Sequence, residues 1–256
     1  MLQDERSERI VQYVNEKGFA KIKEIMDICQ VSRPTVLRDL IKLENEGYLI
    51  RTHGGAKSIR KSTAFEPKQS WKEHQNAAEK MKIAAVAKEM IELGDTILLD
   101  SGTTTLMLAR ALTHFKDITV ITNDLMVAMT LSANEDIELV VLGGKRRKGV
   151  YSLIGPFAER ILEQLNVDKA FIGADSVDLH KGITNSNIEE STIKKMILDC
   201  SKQNILLADS SKFNNVAFVK IADLDRIHTI VTDAGITEMN VLDELREKKI
   251  EIRIAD

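Results

Sequence analysis

The sequence has few of the residues that build metal or redox centres. Its cysteines are Cys29 and Cys200, which lie far apart and fit no metal-ligand spacing. The 5 histidines are scattered along the chain, so we predict no metal site and no cofactor. Both cysteines are interpreted as small core or near-surface residues rather than as redox groups.

Long apolar runs are also missing from the 256 residues. No stretch reaches the about 20 residues that a membrane-spanning helix needs. The first ten residues, MLQDERSERI, are charged and lack the apolar region of a secretory signal. These absences predict a cytoplasmic protein without a membrane partner. The hydrophobic fraction of 43% is ordinary for a globular protein and suffices for a core.

The net charge of −3 is small, but its distribution along the chain is uneven. Residues 1–62 carry 12 Lys and Arg against 9 Asp and Glu, whereas the remainder carries 24 against 30. A mildly basic N-terminal part on an acidic body is typical of a specific DNA-binding head joined to a second domain that does not bind DNA.

The segment from Val31 to Ala56 has the order of parts of a winged helix-turn-helix. Ser32 is placed to cap a helix by accepting hydrogen bonds from its first backbone N–H groups. Pro34 falls in the first turn, where its missing donor has little effect. Apolar residues then recur at helical spacing and predict the buried face, namely Val36, Leu40 and Leu43.

With that face buried, polar residues at the start of the helix remain outside, where a recognition helix reaches base edges in the major groove. These predicted DNA contacts are Ser32, Arg33, Thr35 and Arg38. Two helices precede them: one ends at Gly18, and a shorter one ends near Cys29. The strand from Tyr48 to His53 and the Gly54-Gly55 turn predict a wing, which adds Arg51 and His53 as contacts with a phosphate or the minor groove. An ordinary helical interaction domain is the alternative.

The predicted domain boundaries follow from these patterns. Residues 1–57 form the winged helix-turn-helix, 58–76 a polar connector, and 77–256 a second domain. The connector contains Trp71, which either anchors it to the body or a partner subunit or lies on the surface.

The second domain alternates short apolar runs with helical patterns, which predicts an α/β fold with a largely parallel sheet covered on both faces. The strand candidates are Thr96–Asp100, Ile118–Thr122, Ile137–Leu142, Lys169–Gly173, Asn204–Asp209 and Thr229–Asp233. The helical stretches are Lys80–Leu93, Leu106–Leu112, Leu125–Leu131, Phe157–Leu165, Ile188–Cys200 and Met239–Lys248.

Ligands of such sheets bind beyond the carboxyl ends of the strands. The first strand runs into a small, hydroxyl-rich loop at a helix start, which predicts an anion cradle for a phosphate group. Its residues are Ser101, Gly102, Thr103, Thr104 and Thr105. Asp100, Asn123 and Asp175 are then available for sugar hydroxyls, and Lys212 for a charge-assisted contact. The remaining candidates at strand ends are Thr122, Gly143, Gly144 and Gly173.

Two features of this edge of the sheet have alternative interpretations. Each polar strand end, taken alone, is either part of a ligand site or a routine strand-to-helix turn. The basic run Lys145–Lys148 is predicted to be mostly an exposed loop, with Arg146 or Arg147 as a second phosphate contact.

Taken together, these motifs resemble the DeoR family of bacterial transcriptional regulators over essentially the whole chain. The residues that carry the resemblance are Leu37-Arg38-Asp39-Leu40, Arg51–Ala56, Asp100–Thr104, Thr122-Asn123, Gly143-Gly144, Ile154–Pro156, Gly173–Asp175, Glu190 with Lys194, and Asp209–Phe213. The resemblance implies a winged-helix repressor whose second domain is similar in fold to ribose-5-phosphate isomerase and CoA transferases. It also implies a phosphorylated sugar as effector. Arg33-Pro34 departs from the acidic residues often found there, so the operator sequence does not transfer from relatives.

The isomerase likeness supplies the rival function. Lys181 and Glu190 follow in an order similar to the acid–base residues of that enzyme, and they could move a proton on a bound sugar phosphate. The isomerase likeness implies an Asp-Gly-Ala-Asp motif, but this chain has Ile172 in place of the first aspartate. We therefore expect no enzyme activity. Glu190 is interpreted either as an effector contact or as a helix-surface residue paired with Lys194. The preferred hypothesis is a repressor switched by a sugar phosphate that binds its DNA operator as a dimer or tetramer.

Overall fold

The computed structural model describes residues 3–58, 63–64, 66–67 and 69–256. The chain divides into two compact units, residues 1–67 and 68–256. The predicted connector, 58–76, is divided between them, since 69–76 belong to the second unit. Within the described ranges, none of the helices is long and apolar enough to span a bilayer.

The first unit combines three helices with a small antiparallel sheet. Its elements are α1 (Gln3–Lys17), β1 (Phe19–Lys21), α2 (Ile22–Cys29), α3 (Arg33–Asn45), β2 (Leu49–Thr52) and β3 (Gly55–Ser58). Strand β3 lies between β1 and β2. The predicted apolar face of α3 is buried, and α1 ends just before Gly18, which has a positive φ of 74°.

Strand β1 was not predicted, because three residues between two helices carry no periodic signal. Its pairing explains why Gly55 follows the hairpin. A Cβ at this position would lie 1.9 Å from the Ala20 carbonyl oxygen, so a side chain would separate β3 from β1. The turn itself lies at His53 and Gly54, and Gly55 already belongs to β3.

The second unit is built on a seven-stranded sheet that is parallel throughout. Its strands, in spatial order, are β15 (Glu251–Ala255), β14 (Thr229–Asp233), β12 (Ser201–Leu207), β9 (Val167–Ile172), β4 (Thr96–Leu99), β5 (Ile118–Thr122) and β6 (Ile137–Val141). The smaller strands are β7 (Lys145–Arg146), paired with β8 (Leu153–Ile154), and a sheet of β10 (Ser176–Asp178), β11 (Gly182–Asn185) and β13 (Val219–Ala222).

Helices cover both faces of the large sheet. They are α5 (Ala77–Lys88), α6 (Thr103–Ala111), α7 (Leu125–Leu131), α8 (Pro156–Leu162), α9 (Ile188–Cys200) and α10 (Leu242–Glu247), and the short helix α4 (Gln69–His74) precedes them in the chain. Side chains of β4 alternate between two cores: Ile97 and Leu99 pack with α5, α6 and α7, whereas Leu98 packs with α8, α9 and α10. The α/β prediction and its six strands are confirmed, and β15 is an additional edge strand.

The strand order fixes where a ligand can enter. From β4 the chain first runs outward to β5 and β6, and it then returns to β9 on the other side of β4. The reversal between β4 and β9 is the topological switch point, at which the flanking loops diverge and leave a crevice beyond the carboxyl ends of the strands.

Candidate functional site

The start of α3 presents the predicted DNA-reading residues. Ser32, Arg33 and Arg38 are exposed, and Thr35 is half-buried. Ser32 occupies the N-cap position, but its hydroxyl pairs with the hydroxyl of Thr35 at 3.0 Å and makes no bond to a backbone N–H. The predicted side-chain cap is therefore wrong in detail, since the two hydroxyls satisfy each other at the helix start.

Asp39, beside Arg38 in the sequence, points into the first unit. The Arg6 guanidinium donates to both of its carboxylate oxygens, with Nε to Oδ2 at 2.6 Å and Nη2 to Oδ1 at 3.2 Å. This pair joins α1 to α3 and is almost fully buried. Asp39 therefore fixes the position of α3 against α1.

The wing carries the other two predicted DNA contacts. His53 is exposed at the hairpin tip. Arg51 is also exposed, but its Nε donates to Oε2 of Glu44 at 2.6 Å. Arg51 is thus held against α3 by a carboxylate that the sequence analysis did not single out.

The centre of the second unit's site is an ion pair at the switch point. The Lys194 ammonium, on α9, donates to Oδ2 of Asp100 at the end of β4 and to the carbonyl oxygen of Gly173. The backbone N–H of Gly173 also donates to Asp100 Oδ2, at 3.1 Å. One carboxylate therefore ties the ends of β4 and β9 together.

Glu190 extends this cluster by one turn of α9. Its carboxylate lies 3.9 Å from the Lys194 ammonium and 2.7 Å from the Arg147 guanidinium. The pairing of Glu190 with Lys194 is as predicted, but the helix-surface interpretation is wrong, because both residues are buried. Burial raises the pKa of Glu190 and of Asp100. The two carboxyl groups in turn outweigh the burial of Lys194 and raise its pKa.

The loop after β4 has the geometry of an anion cradle. Helix α6 begins at Thr103, and the N–H groups of its first turn point out of the helix end without partners in the helix. The hydroxyls of Thr103 and Thr104 make no hydrogen bond within the described part of the chain. Helix start and hydroxyls together can bind a phosphate.

The other predicted hydroxyls of this edge already hold the loops in place. Thr105 donates to the carbonyl oxygens of Asp100 and Gly102. Ser101 donates to the Asp124 carboxylate at 2.6 Å, and Thr122 donates to the Leu99 carbonyl oxygen at 2.8 Å. These groups shape the crevice and have less capacity left for a ligand.

Buried polar atoms without partners mark where further contacts can form. Among the described residues they include Oδ1 of Asp100, Oδ1 of Asn123 and Nδ2 of Asn185. Asn185, at the end of β11, was not predicted. It is followed by Ser186, whose N–H donates to Asp175 at 2.9 Å, so this loop borders the same edge of the sheet. The three atoms offer two acceptors and one donor, a set suited to sugar hydroxyls.

Asp175 has a partner that the sequence did not suggest. The Lys72 ammonium on α4 lies 2.9 Å from its Oδ1. Burial opposes ionisation of Asp175, but Lys72 and the Ser186 N–H outweigh it and hold the pKa well below its usual range. Lys72 lies 103 residues away in sequence, in the predicted connector, where no motif marked it.

Several predicted residues lie at the margin of the cluster. Arg146 is exposed and donates to the Val150 carbonyl oxygen at 3.1 Å, whereas the next residue, Arg147, is the one that reaches Glu190. Gly143 and Gly144 are exposed, and Gly144 passes so close to the backbone of Ile154 that a Cβ would lie 2.6 Å from its carbonyl oxygen. Lys212 is half-buried.

The two cysteines lie outside these sites. Cys29 is buried and Cys200 half-buried, and burial raises the pKa of both thiols, which disfavours the reactive thiolate. No group of side chains with metal-binding composition occurs in the part of the chain that is described.

The two units together define a regulator that combines a winged helix-turn-helix with an α/β sensor domain. A model of the DeoR-like helix-turn-helix domain matches residues 6–62, and one of the DeoR C terminal sensor domain matches residues 75–234. The chain belongs to the DeoR family of transcriptional regulators.

Named relatives agree with this assignment along nearly the whole chain. The chain is 38% identical over 252 residues to the uncharacterized HTH-type transcriptional regulator YulB of Bacillus subtilis (strain 168), covering 98% of this chain and 96% of the relative. It is 34% identical over 249 residues to the putative aga operon transcriptional repressor of Escherichia coli O157:H7, covering 97% and 92%. Among solved structures, ribose 5-phosphate isomerase A from Methanocaldococcus jannaschii aligns with 54% of this chain and 55% of its own, at 23% identity and a TM-score of 0.41.

Proposed function

We propose that this protein is a repressor whose binding to an operator is switched by a phosphorylated sugar in the second unit. The observation that carries the proposal is the start of α6, where Thr103 and Thr104 present hydroxyls and helix N–H groups beside the buried cluster of Asp100, Glu190 and Lys194. A helix start binds the phosphate, and the cluster supplies charged and polar groups for the sugar.

In this proposal the phosphate binds residues 101–105. The partnerless oxygens of Asp100 and Asn123 accept hydrogen bonds from sugar hydroxyls, and Asn185 donates one. Asp175 and Lys212 border the same edge and complete the set of polar contacts. Because a sugar phosphate offers both an anion and hydroxyls, it matches this combination better than a purely apolar ligand does.

The exposed residues of α3 and the wing read the operator. One helix-turn-helix recognises only a half-site, so the protein acts as a dimer or tetramer. Effector binding favours a conformation of the sensor in which two DNA-binding units no longer match the half-site spacing, and repression is relieved.

The isomerase alternative has less support. Lys181 is the lysine that the isomerase likeness pairs with Glu190 as an acid–base residue. It is exposed in the turn between β10 and β11, whereas Glu190 is buried beside Arg147 and Lys194. Ile172, at the position expected to carry a carboxylate, is fully buried in the apolar core. Among the described residues the ion-pair partners of Glu190 are Arg147 and Lys194, and no hydrogen bond or ion pair joins Glu190 to Lys181 as an acid–base pair.

Two measurements test the proposal together. Thermal unfolding is followed with a panel that contains ribose 5-phosphate, fructose 1-phosphate, fructose 6-phosphate, glucose 6-phosphate and glycerol 3-phosphate, each beside its unphosphorylated form. A ligand at 100 times its Kd stabilises the native state by about 2.7 kcal/mol. Operator DNA selected from a random pool is then titrated with any stabilising compound, and release of the DNA is expected.

The double variant Thr103→Val/Thr104→Val removes the two hydroxyls and keeps the shape of the side chains. It should bind DNA like the parent but lose the response to the sugar phosphate. Thr192→Val, on the exposed face of α9, is the matched control and should respond normally. A double variant that is still fully released from DNA would show that the phosphate lies elsewhere.

A further inference from the structure

The segment 216–221, which leads into β13, has an apolar outer face. Its side chains alternate between the two sides of the chain: Ala217 and Ile221 are buried, whereas Val216 and Phe218 are 45% and 54% exposed. The outward side of a strand at the surface is normally polar, because it meets water. Two large apolar side chains on that side therefore indicate a surface that is covered by another molecule.

The first residue of α9 enlarges this face. Asn185, at the end of β11, lies opposite Val219, and the two strands are antiparallel. The chain that leaves β11 therefore runs along the residues that precede β13. It reaches Ile188, which begins α9 and is 58% exposed, on the same side as the segment before β13. The apolar patch is defined as Ile188, Val216 and Phe218.

The rim of the apolar patch carries one charge of each sign at opposite ends. Glu189 follows Ile188 and lies towards the Val216 end, whereas Lys220 lies two residues beyond Phe218, and both charged residues are exposed. A two-fold axis at Phe218 sets each end of the patch against the opposite end of its copy. Glu189 of one protomer then faces Lys220 of its partner, and the pair occurs twice. The patch is thus complementary to itself in charge as well as in polarity.

This distribution of charge favours a second copy over other partners. A nucleic acid or an acidic peptide is matched by a rim with an excess of cations. Beyond the patch the surface again carries both signs in balance, since Arg226 pairs with Asp199 at 2.8 Å and Lys220 with Asp223 at 2.5 Å. An apolar centre within a balanced polar rim is the usual anatomy of an interface between identical chains.

We propose that the apolar patch is the core of an interface between two copies of this chain, with Phe218 at the two-fold axis. The inference rests on the proposed function, which requires at least two copies, and it assigns the surface through which they meet. A stable interface covers about 800 Å² on each partner, so the patch is its centre and the charged rim surrounds it. Glu190 of the buried cluster lies in the same first turn of α9 as Ile188, so the interface and the candidate effector site share one helix start.

Association is measured on the full-length protein by sedimentation equilibrium over a range of concentrations. Phe218→Glu should raise the dissociation constant about thirtyfold, because a central aromatic side chain carries much of the binding energy of an interface. Phe157→Glu, on α8, is the matched control, since it changes the same residue type at a position that is 71% exposed. It should associate like the parent. Both side chains project from the surface, so circular dichroism of both variants should match that of the parent.

Exchange of the rim charges tests the two-fold arrangement. Glu189→Lys should weaken association about fivefold, since two lysines then face each other in each of two pairs. Glu189→Lys/Lys220→Glu exchanges the two charges and should recover most of the loss. A role of Lys220 only within its own chain, through Asp223, predicts no such recovery.

Phe218→Cys locates the axis directly. A disulfide requires Cα atoms within about 7 Å of each other, so two cysteines at position 218 should cross-link the protomers on mild oxidation. Phe157→Cys is the control and should give no cross-linked dimer beyond that of the parent.

The outcomes separate the surface from the function. If the parent self-associates, Phe218→Glu associates equally tightly and Phe218→Cys gives no cross-link, the assignment of the apolar patch is overturned while the proposed function stands. If the parent stays monomeric and binds its operator as a monomer, the dimeric or tetrameric repressor of the proposed function falls, and the inference about the apolar patch falls with it.

Discussion

Glu44 on the recognition helix holds Arg51 of the wing through both its backbone and its side chain. The backbone N–H of Arg51 donates to Oε1 at 2.9 Å, and its Nε donates to Oε2 at 2.6 Å. These bonds lower the pKa of Glu44, so its carboxylate is charged at neutral pH. The guanidinium that we assign to the DNA backbone therefore has an anionic competitor on its own domain.

Glu44→Gln should strengthen binding to any DNA duplex and make it more sensitive to salt. With the carboxylate removed, Arg51 can pair fully with a phosphate, and the slope of log K against log salt should steepen by about 1. Fluorescence anisotropy over a range of salt concentrations measures this. Glu46→Gln removes the same charge at the end of α3 without touching Arg51 and should have a smaller effect. Equal slopes in both variants would mean that Glu44 does not restrain Arg51.

Arg38 should determine sequence preference. It is exposed on the outer face of α3, and loss of a good bidentate contact with a base costs about 1–3 kcal/mol. Arg38→Ala should therefore weaken operator binding by that amount and bind random DNA almost as before. Arg38→Lys keeps the charge but not the bidentate geometry and should also lose discrimination. Arg9→Ala, exposed on α1, is the control, and an unchanged operator affinity of Arg38→Ala would exclude a base contact.

Asp39 should matter for stability rather than for recognition. Removing one partner of a buried ion pair costs about 3–5 kcal/mol, because the other charge stays buried. Asp39→Ala should thus unfold the first unit at much lower denaturant concentration, whereas Asp27→Ala, exposed on α2, should not. Circular dichroism during urea titration gives the comparison. An Asp39→Ala variant as stable as the parent would show that Arg6 finds another partner.

The sequence predicted the elements with strong periodic signals and missed those without them. The buried strands of the large sheet are short apolar runs, and six of the seven were found. Strand β15 contains Glu251 and Arg253, which an edge strand tolerates because one side of it faces solvent. Strand β1 has three residues and depends on pairing with β3, a contact between distant parts of the chain.

Within the candidate site, the sequence predicted which polar strand ends meet at one edge of the sheet but not how their charges pair. Adjacent residues in an extended chain point in opposite directions, so Arg146 and Arg147 could not be told apart without the register of β7 with β8. Lys72 was missed because ion pairs between distant segments follow from tertiary packing alone. The burial of Glu190 was missed for a related reason, since α9 is covered by other elements on the side that carries it.

The pair of Asp100 and Lys194 leads to a prediction about pH. In the parent, the raised pKa of Lys194 means that its contribution to stability is complete below the usual lysine pKa and is lost only at higher, alkaline pH. Lys194→Met removes the cation and leaves Asp100 in a fully buried position. We expect a loss of about 3–5 kcal/mol at neutral pH.

In Lys194→Met the pH dependence should keep its direction but move from alkaline pH, where Lys194 titrates, to lower pH, where Asp100 titrates. Burial already raises the pKa of Asp100 in the parent, and without Lys194 only backbone N–H groups such as that of Gly173 oppose it, so the folded state binds a proton more tightly than the unfolded state. Stability should therefore rise as the pH falls from neutral towards the ordinary pKa of aspartate. The double variant Asp100→Asn/Lys194→Met carries no charge at either position and should lose this dependence while recovering much of the stability. Urea unfolding across this pH range measures all three proteins, and a Lys194→Met variant whose stability does not vary with pH would show that Asp100 gains a new cationic partner.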